Sequence, residues 1–337
     1  MIIVADSGAT KTAWRSVDKD GVVRSVQTGG MSPTCLDAEH VQSLVRQAVP
    51  GLNPDGRNVS SVFFYGAGLV SEAVAEPVRA ALEMWCPFAQ VHFHSDLMAA
   101  ARALFGDGDG VVAIMGTGSN SCLYSKGIIA EHINTGGFII GDEGSASALG
   151  RNLIADYIKG LFPDDVKAVF EARYTLSYQD IVRKVYKEPG AAAFLGSFAP
   201  FVLENIDEPA GYLRSLVEKN IDAFMRRALS RYRNESGAVR NVGVVGSFGC
   251  ACEEHIRRIG SAYGLEFEKF VKSPIDELVK YHGISGTRPV QAAGRGSRCY
   301  RLPSGSRTQE CPASGPAPAE AAAGKCTSFY SGYRRFA

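Results

Sequence analysis

The chain has 337 residues, of which 45% are hydrophobic and 21% are charged, and its formal net charge is +1. This composition is typical of a globular protein long enough for two domains, and the charge gives no electrostatic argument for binding to nucleic acid or to a membrane surface. The sequence reaches Asp6 without a basic segment or a long apolar run, so we expect a cytoplasmic protein without a signal peptide or a membrane span.

The first predicted elements form a three-strand meander at residues 1–5, 12–17 and 22–27. The turn formers from Asp18 to Gly21 separate the second and third strands, which indicates a β-hairpin. The apolar spacing then predicts, in order, a helix at 38–48, a strand at 61–65, a helix at 71–85, a strand at 90–94 and a helix at 96–104.

The loop between the first two strands, DSGATKT at 6–12, is close to a P-loop because it has a glycine, two further residues, and then Lys11 and Thr12. In a P-loop the lysine follows a glycine directly and a helix comes next. Neither holds here, since a hairpin follows. If this loop binds phosphate, another architecture must hold it.

After the glycine-rich segment at 105–110 the pattern of the first half starts again. The stretch VVAIMGTGSNSCLYSKGIIAEHI repeats the order of strand, small-residue loop, strand, tight turn and strand, with Gly127 in the position of Gly21. Two such meanders facing one another would place two loops rich in N–H and hydroxyl donors on opposite sides of one cleft. Such loops can cradle a phosphate chain from both sides.

Five motifs occur in a fixed order: DSGATKT at 6–12, SDLMAAA at 95–101, GTGSNS at 116–121, GGFIIGDEGSASALG at 136–150 and VVGSFG at 244–249. Together they resemble the actin, sugar-kinase and heat-shock-chaperone ATPase superfamily, and within it the N-acetylglucosamine kinases and the benzoyl-CoA reductase activator-type ATPases. The resemblance implies an α/β protein with two ribonuclease H-like, actin-like ATPase domains and a nucleotide cleft between them.

The resemblance also implies domain boundaries. The N-terminal domain would span 1–112 and be rejoined by a helix near 274–282, and the second domain, with a helical insertion, would span 113–273.

The resemblance implies roles for residues near ATP and Mg²⁺. Asp6 would hold Mg²⁺ through water, as this cation keeps most of its hydration shell in proteins. The residues expected along the ATP phosphates are Gly8, Ala9, Thr10 and Lys11 on one side and Gly116, Thr117, Gly118 and Ser119 on the other. Gly246 and Ser247 would lie under the adenosine. An exposed hairpin charge is an equally good interpretation of Lys11.

Asp96 is the expected catalytic residue, because in the resembled kinases an aspartate at the start of this helix accepts the proton of the sugar hydroxyl. The alternative is a helix N-cap. The expected sugar contacts are Ser32, Asp96, Gly136, Gly137, Phe138 and Asp142, with Phe138 packing on the sugar. Glu143 is either a neighbour of this site or a first-turn residue that interacts with the helix dipole.

Two departures from the family pattern concern the substrate. Ser32 stands where the family usually has an asparagine, and a hydroxyl could still bind the sugar, directly or through water. Phe138 stands where some relatives carry a tryptophan, so stacking is kept and an indole hydrogen bond is lost.

The predicted function is ATP-dependent phosphorylation of an amino sugar, N-acetylglucosamine to its 6-phosphate, with ATP and Mg²⁺ as cofactors. The expected partner is the small-molecule sugar, with no nucleic acid and no membrane, and a homodimer stays open. One alternative is a non-catalytic sensor of sugar and ATP. Another is an iron–sulfur activator ATPase, which is disfavoured because no cysteine occurs between Cys122 and Cys250.

The eight cysteines form no CxxC pair and have no histidine at zinc spacing, so we expect reduced thiols rather than a metal site. The composition changes at residue 283. More than half of the residues at 283–337 are Gly, Ala, Ser or Pro, without apolar periodicity. We interpret this segment as an irregular or disordered tail that resembles the translation of a shifted reading frame, and the alternative is a basic tail that binds nucleic acid.

Overall fold

The computed structural model describes residues 1–8, 10–31, 37–54, 58–69, 72–232 and 241–283. The tail at 284–337 and the two candidate site residues Ala9 and Ser32 lie outside the described residues.

The first half is built on a five-stranded sheet with the order β3-β2-β1-β4-β5. Strands β1 to β3 pair antiparallel, while β4 and β5 join the sheet in parallel. The strands are β1 (Ile2–Ser7), β2 (Lys11–Val17), β3 (Val23–Gly29), β4 (Ser61–Gly66) and β5 (Gln90–Ser95). All five predicted strands are confirmed to within two residues at each end.

The hairpin between β2 and β3 has the turn that its sequence predicts. The Asp18 carboxylate accepts hydrogen bonds from the N–H groups of Asp20 and Val22 at 3.0 and 2.9 Å. Gly21 has a φ of 77°, which a residue with a side chain rarely adopts. The local turn chemistry therefore sets the register of these two strands.

Three helices accompany the first sheet: α1 (Ala38–Leu52), α2 (Glu72–Trp85) and α3 (Asp96–Phe105). Helix α1 continues four residues beyond the prediction, through Pro50, because Leu52 is 1% exposed and packs in the first core. Trp14 and Phe64 also belong to this core, and their rings meet edge to face at 5.9 Å.

The second half repeats the first. Its sheet has the order β10-β9-β6-β7-β8, so that the meander β6 to β8 is again extended by two parallel strands on the side of its first strand. The strands are β6 (Gly110–Met115), β7 (Ser119–Ser125), β8 (Ile128–His132), β9 (Asn241–Val245) and β10 (Glu266–Val271). The internal repeat read from the sequence is confirmed.

Most helices of the second half lie between β8 and β9 in the chain and bury a large apolar core against the second sheet. The helices of this half are α4 (Gly137–Ile140), α5 (Ala146–Ile158), α6 (Asp164–Arg173), α7 (Tyr178–Tyr186), α8 (Ala191–Gly196), α9 (Ala199–Glu204), α10 (Tyr212–Arg227), α11 (Ser247–Ala251) and α12 (Glu253–Ser261). In the described part of the chain, no helix is long and apolar enough to cross a membrane.

Helix α3 and the last helix, α13 (Ile275–Gly283), connect the two halves. Leu97, Ala101 and Leu104 of α3 pack with Val112 and Cys122 of the second sheet. The neighbouring Ala99 packs instead with residues of the first sheet and with Ile275 of α13. The small side chains of α3 allow it to lie against both sheets at once, and this helix begins at Asp96.

Candidate functional site

The first loop of the site, residues 7–12, closes a tight turn between β1 and β2. The N–H of Gly8 donates to the carbonyl of Lys11 at 2.9 Å. Below the turn, the buried hydroxyls of Ser7 and Thr12 lie 2.9 Å apart, and Ser7 Oγ also lies 2.9 Å from both the N–H and the carbonyl of Met31. Thr10 and Lys11 are exposed at the tip of the loop. Hydroxyl contacts thus fix the base of this loop and leave its tip open.

Asp96 is the first residue of α3 and does not cap it. The N-cap is Ser95, whose hydroxyl accepts the N–H of Met98 at 3.2 Å. The Asp96 carboxylate accepts the N–H of Leu97 at 2.9 Å. The interpretation of Asp96 as a simple N-cap is therefore wrong, because the residue before it already performs that function.

Asp6 and Asp96 lie close enough together for the charge of Asp96 to affect the pKa of Asp6. Burial, and to a smaller extent the charge of Asp96, raise the pKa of Asp6 to about 7 against the opposing effect of Lys11. Burial also raises the pKa of Asp96, against hydrogen bonds that lower it. A cation beside these two carboxylates would stabilise their ionised forms. The residues present therefore fit a divalent metal ion such as Mg²⁺, held from the side of Asp6.

Asp96 also faces the second half of the molecule. The thiol of Cys122 on β7 is buried, and burial together with the charge of Asp96 raises its pKa to about 12. Because side chains alternate along a strand, Asn120 lies on the same face of β7 as Cys122, two residues closer to the second loop. Asn120 was not singled out from the sequence, and its side-chain oxygen lies 2.9 Å from Nε2 of His132 on β8.

The second loop of the site, residues 116–119, is supported by backbone contacts. Within it, the N–H of Gly116 donates to the carbonyl of Gly118 at 3.0 Å. The first N–H groups of α5 donate to carbonyls of this loop. The N–H of Ala146 donates to the carbonyl of Gly116 at 2.9 Å, and that of Ser147 donates to the carbonyl of Thr117 at 3.0 Å. The start of a helix has free N–H groups, so α5 can fix this loop without any side chain.

Gly246 and Ser247 lie directly beside the second loop. A Cβ on Gly246 would be 2.2 Å from the carbonyl oxygen of Met115 and 3.0 Å from the N–H nitrogen of Gly116. Gly246 also has a φ of 129°. Only a glycine allows the end of β9 to approach the end of β6 so closely. Ser247 then begins α11.

The third loop, residues 135–142, contains Gly136 and Gly137 with φ values of 80° and 71°. These two glycines turn the chain into the short helix α4. The side chain of Phe138 is half-buried and packs against the core of the second half. The contact of Phe138 with a sugar stays a prediction, and its described contacts are with the protein.

Asp142 joins the third loop to the second. Burial raises the pKa of its carboxyl, while the nearby N–H of Ser119 and hydroxyl of Thr135 lower it. A Cβ on Gly118 would lie 3.0 Å from Asp142 Oδ2. Asp142 has a φ of 55°, which is uncommon for a residue other than glycine and is often found at functional sites. The predicted phosphate and sugar contacts are therefore direct neighbours.

The turn after Asp142 is held by Asn220 of α10, which is 3% exposed. Its side chain accepts the N–H of Gly144 at 3.0 Å and donates to the carbonyl of Ser145 at 2.9 Å. Asn220 was missed in the sequence, although a polar residue within the apolar stripe of a helix is a usable signal. Glu143 lies before Ser145, the N-cap of α5, and pairs with Arg227, so its interpretation as a first-turn residue is wrong.

A family model described as the BadF/BadG/BcrA/BcrD ATPase family matches residues 5–250. A candidate N-acetylglucosamine kinase from Porphyromonas gingivalis has a similar structure, with a TM-score of 0.78 and 33% sequence identity over 85% of this chain and 99% of that chain. No curated protein matches the sequence.

Two more distant structures share the fold. A candidate N-acetylglucosamine kinase from Chromobacterium violaceum has a TM-score of 0.60 and 16% identity over 83% of this chain and 98% of that chain. A ROK family glucokinase from Streptomyces griseus, solved with glucose and AMPPNP, has a TM-score of 0.53 and 17% identity over 84% of this chain and 98% of that chain. At these identities the likeness concerns the fold alone.

Proposed function

This chain belongs to the BadF/BadG/BcrA/BcrD ATPase family, and from that premise we propose that it is an ATP-dependent kinase of an amino sugar. The substrate is N-acetylglucosamine, phosphorylated on its 6-hydroxyl. The observation that carries the proposal is the position of Asp96, next to Asp6 of the first half and on the helix that packs against β7 of the second half. The candidate N-acetylglucosamine kinase at 33% identity supports the choice of sugar.

In this mechanism Asp96 accepts the proton of the attacking sugar hydroxyl. Burial raises the pKa of this carboxyl, which brings its basicity closer to that needed to take a proton near neutral pH. Asp6 would hold Mg²⁺ through water, and the metal ion would neutralise charge on the transferred phosphoryl group.

The two loops position the reactants. Thr10 and Lys11 at the open tip of the first loop, and the backbone of Gly116 to Ser119, bind the phosphates from opposite sides, while Gly246 and Ser247 lie under the adenosine. Asp142 binds the sugar beside the second loop, since its carboxylate already contacts the N–H of Ser119. Phosphoryl transfer depends mainly on such positioning and on charge stabilisation.

We further propose that residues 1–112, rejoined by a helix near 274–282, and residues 113–273 form the two ribonuclease H-like domains, and that 283–337 lies outside them. The match to the Porphyromonas gingivalis protein supports placing 283–337 outside the two domains, because 85% of this chain covers 99% of that one. We also propose that the protein acts in the cytoplasm.

A panel of hexoses and hexosamines with Mg-ATP, scored for ADP release, tests the function. We expect N-acetylglucosamine to be the best substrate, with glucosamine and glucose poorer. A preference for an unrelated polyol or acid would overturn the sugar assignment. If sugar and ATP shift the melting temperature but no panel member is turned over, the protein is a sensor built on a kinase body.

A further inference from the structure

We propose that Arg151 is a positioning residue that fixes the third loop, residues 135–142, in the shape that binds the sugar. This inference rests on the proposed function for its substrate. Arg151 lies on α5, the helix whose first N–H groups hold the second loop. One helix would then position both the phosphate-binding loop and the sugar-binding loop.

The contacts of Arg151 are with backbone carbonyls at the end of α4. Its Nη1 atom lies 2.5 Å from the carbonyl oxygen of Phe138, 3.0 Å from that of Ile139 and 3.4 Å from that of Gly141. Nη1 carries two hydrogens, so the first two contacts are the stronger ones and the third is weak. A helix leaves its last carbonyls without partners inside the helix, and a cation placed there also complements the helix dipole.

Helix α4 needs such a partner because it is short. It has four residues and only the carbonyl of Gly137 is bonded in the usual way, by the N–H of Gly141 at 2.8 Å. Gly136 before it and Gly137 at its start have positive φ, and the side chains of Ile139 and Ile140 are 72% and 79% exposed. Of the apolar side chains of α4, Phe138 alone packs against the core, and the guanidinium of Arg151 supplies a second fixed point.

The backbone of α5 around Arg151 is firmly packed. At the preceding residue, Gly150, a Cβ would lie 1.8 Å from the carbonyl oxygen of Leu195, so α5 and α8 are in direct backbone contact. Leu149 and Leu153 on either side are fully buried. The charge of Arg151 also lowers the pKa of Asp142, which favours the ionised carboxylate that accepts hydrogen bonds from a sugar.

The test uses Arg151→Ala and Arg151→Lys, with Arg183→Ala as the matched control. Arg183 is an exposed arginine of α7 whose described side-chain contacts are with Asp180 and Glu188. In Arg151→Ala we expect the KM for N-acetylglucosamine to rise about tenfold or more, since hydrogen bonds from a charged group are lost. The KM for ATP should change by less than about twofold, because α5 keeps its hold on the second loop.

Two further readouts separate positioning from general destabilisation. Loss of the arginine should move the acid limb of kcat/KM for the sugar to higher pH, since Asp142 loses a neighbouring positive charge. Arg151→Lys should recover part of the sugar affinity, because an ammonium can donate to one or two of the carbonyls. If Arg151→Ala is insoluble, the lysine variant carries the test alone, with a smaller rise in KM.

Hydrogen exchange of the amides at 137–142 tests the loop without any substrate. We expect these amides to exchange at least about tenfold faster in Arg151→Ala than in the wild type and in Arg183→Ala. Unchanged exchange would overturn the positioning role, whether or not the wild type turns over a sugar. Faster exchange in a protein that phosphorylates no sugar would reject the proposed function and keep Arg151 as the residue that orders this loop. Faster exchange with an unchanged KM for the sugar would overturn the link to sugar binding.

Discussion

The two halves of the molecule share one strand order but use it differently. The end of β1 and the loop after it contribute the ionisable side chains Asp6 and Lys11, and the base of the loop is held by the hydroxyls of Ser7 and Thr12. The loop after β6 contributes backbone N–H groups and is held by the start of α5 and by the close approach of Gly246. The repeated topology thus places two loops, and the loop sequence decides whether each supplies charge or backbone donors.

The supports of the two loops also differ in how much change they tolerate. In the first half, the end of the parallel strand β4 is Gly66, where an added Cβ would meet side-chain atoms of Leu69 and Phe64 at 3.1 and 3.2 Å. In the second half, the residue after β9 is Gly246, where the Cβ would meet backbone atoms. Side chains can shift and a packed backbone cannot, so the second half should be the less tolerant one.

The largest effect is expected on the kcat of the variant Asp96→Asn, in the first half of the molecule. Asparagine keeps the size of the side chain but cannot take a proton, so kcat should fall by about two to four orders of magnitude. The affinity for ATP should barely change because both loops are intact, and thermal stability should hold or rise because a buried charge is removed. Steady-state kinetics and a melting curve measure these quantities. A folded variant with near wild-type turnover would remove Asp96 from the catalytic role.

The next effect compares the two glycines directly. Gly246→Ala should cost about 3 kcal/mol or more in the free energy of unfolding, because the methyl group can only be accommodated by moving the backbone of Met115 and Gly116. Gly66→Ala should cost about 1 kcal/mol or less, as Leu69 can adjust. Denaturant unfolding of both variants tests the difference. Equal costs would show that the two halves tolerate change equally.

The smallest effect concerns a histidine cluster of the first half. His282 of α13 lies with Nε2 2.7 Å from the hydroxyl of Tyr65, and its ring stacks on Phe63 with the centroids 3.7 Å apart. Arg102 donates to the same hydroxyl at 2.7 Å. Burial, followed by the charge of Arg102, lowers the pKa of both His94 and His282 to about 3.

This cluster predicts loss of stability in mild acid. In the unfolded chain each of these two histidines takes up a proton as the pH falls below about 6.5, whereas in the folded protein they stay neutral until pH approaches about 3. Protons therefore favour the unfolded state, and at pH 5 each histidine should lower the free energy of unfolding by at most about 2 kcal/mol relative to pH 8. Denaturant unfolding at pH 8 and pH 5 measures the difference.

The variant His282→Phe keeps a ring against Phe63 and should lose part of this pH dependence. The control His40→Asn changes an exposed residue whose described contacts are with Asp37, and it should keep the full dependence. Hydrogen exchange at pH 5 should increase in β4, β5 and α13 before it increases in the second sheet. An identical pH dependence in His282→Phe and in the wild type would contradict this role of the cluster.

Much of the fold could be predicted because it follows from local sequence patterns. Strands such as Ile2–Ser7 and Gly110–Met115 are short apolar runs, and the turns at Gly21 and Gly127 need a positive φ that glycine supplies. The small-residue loops after β1 and β6 repeat in order, and their resemblance to the sugar-kinase superfamily gave the candidate site. The match of the family model to residues 5–250 confirms the family.

The supports of the site could not be predicted, since each of them joins residues distant in the chain. The contact of Asn220 with Gly144 and Ser145 spans about 75 residues, and no local pattern selects that pair. Asp96 could be read as a helix cap until the structure placed Ser95 in that position.

The sequence by itself determined the repeated pattern of strand, small-residue loop and hairpin, because backbone propensity and turn chemistry act over a few residues. The order of its five motifs gave the family by resemblance. Only the tertiary structure decided which carboxylates are buried together, which helix supports both the second and third loops, and that Arg151 reaches the carbonyls of α4. Burial and long-range contacts depend on how α3, α5 and α13 pack against the sheets, and a raised pKa or a fixed loop exists only once that packing has formed.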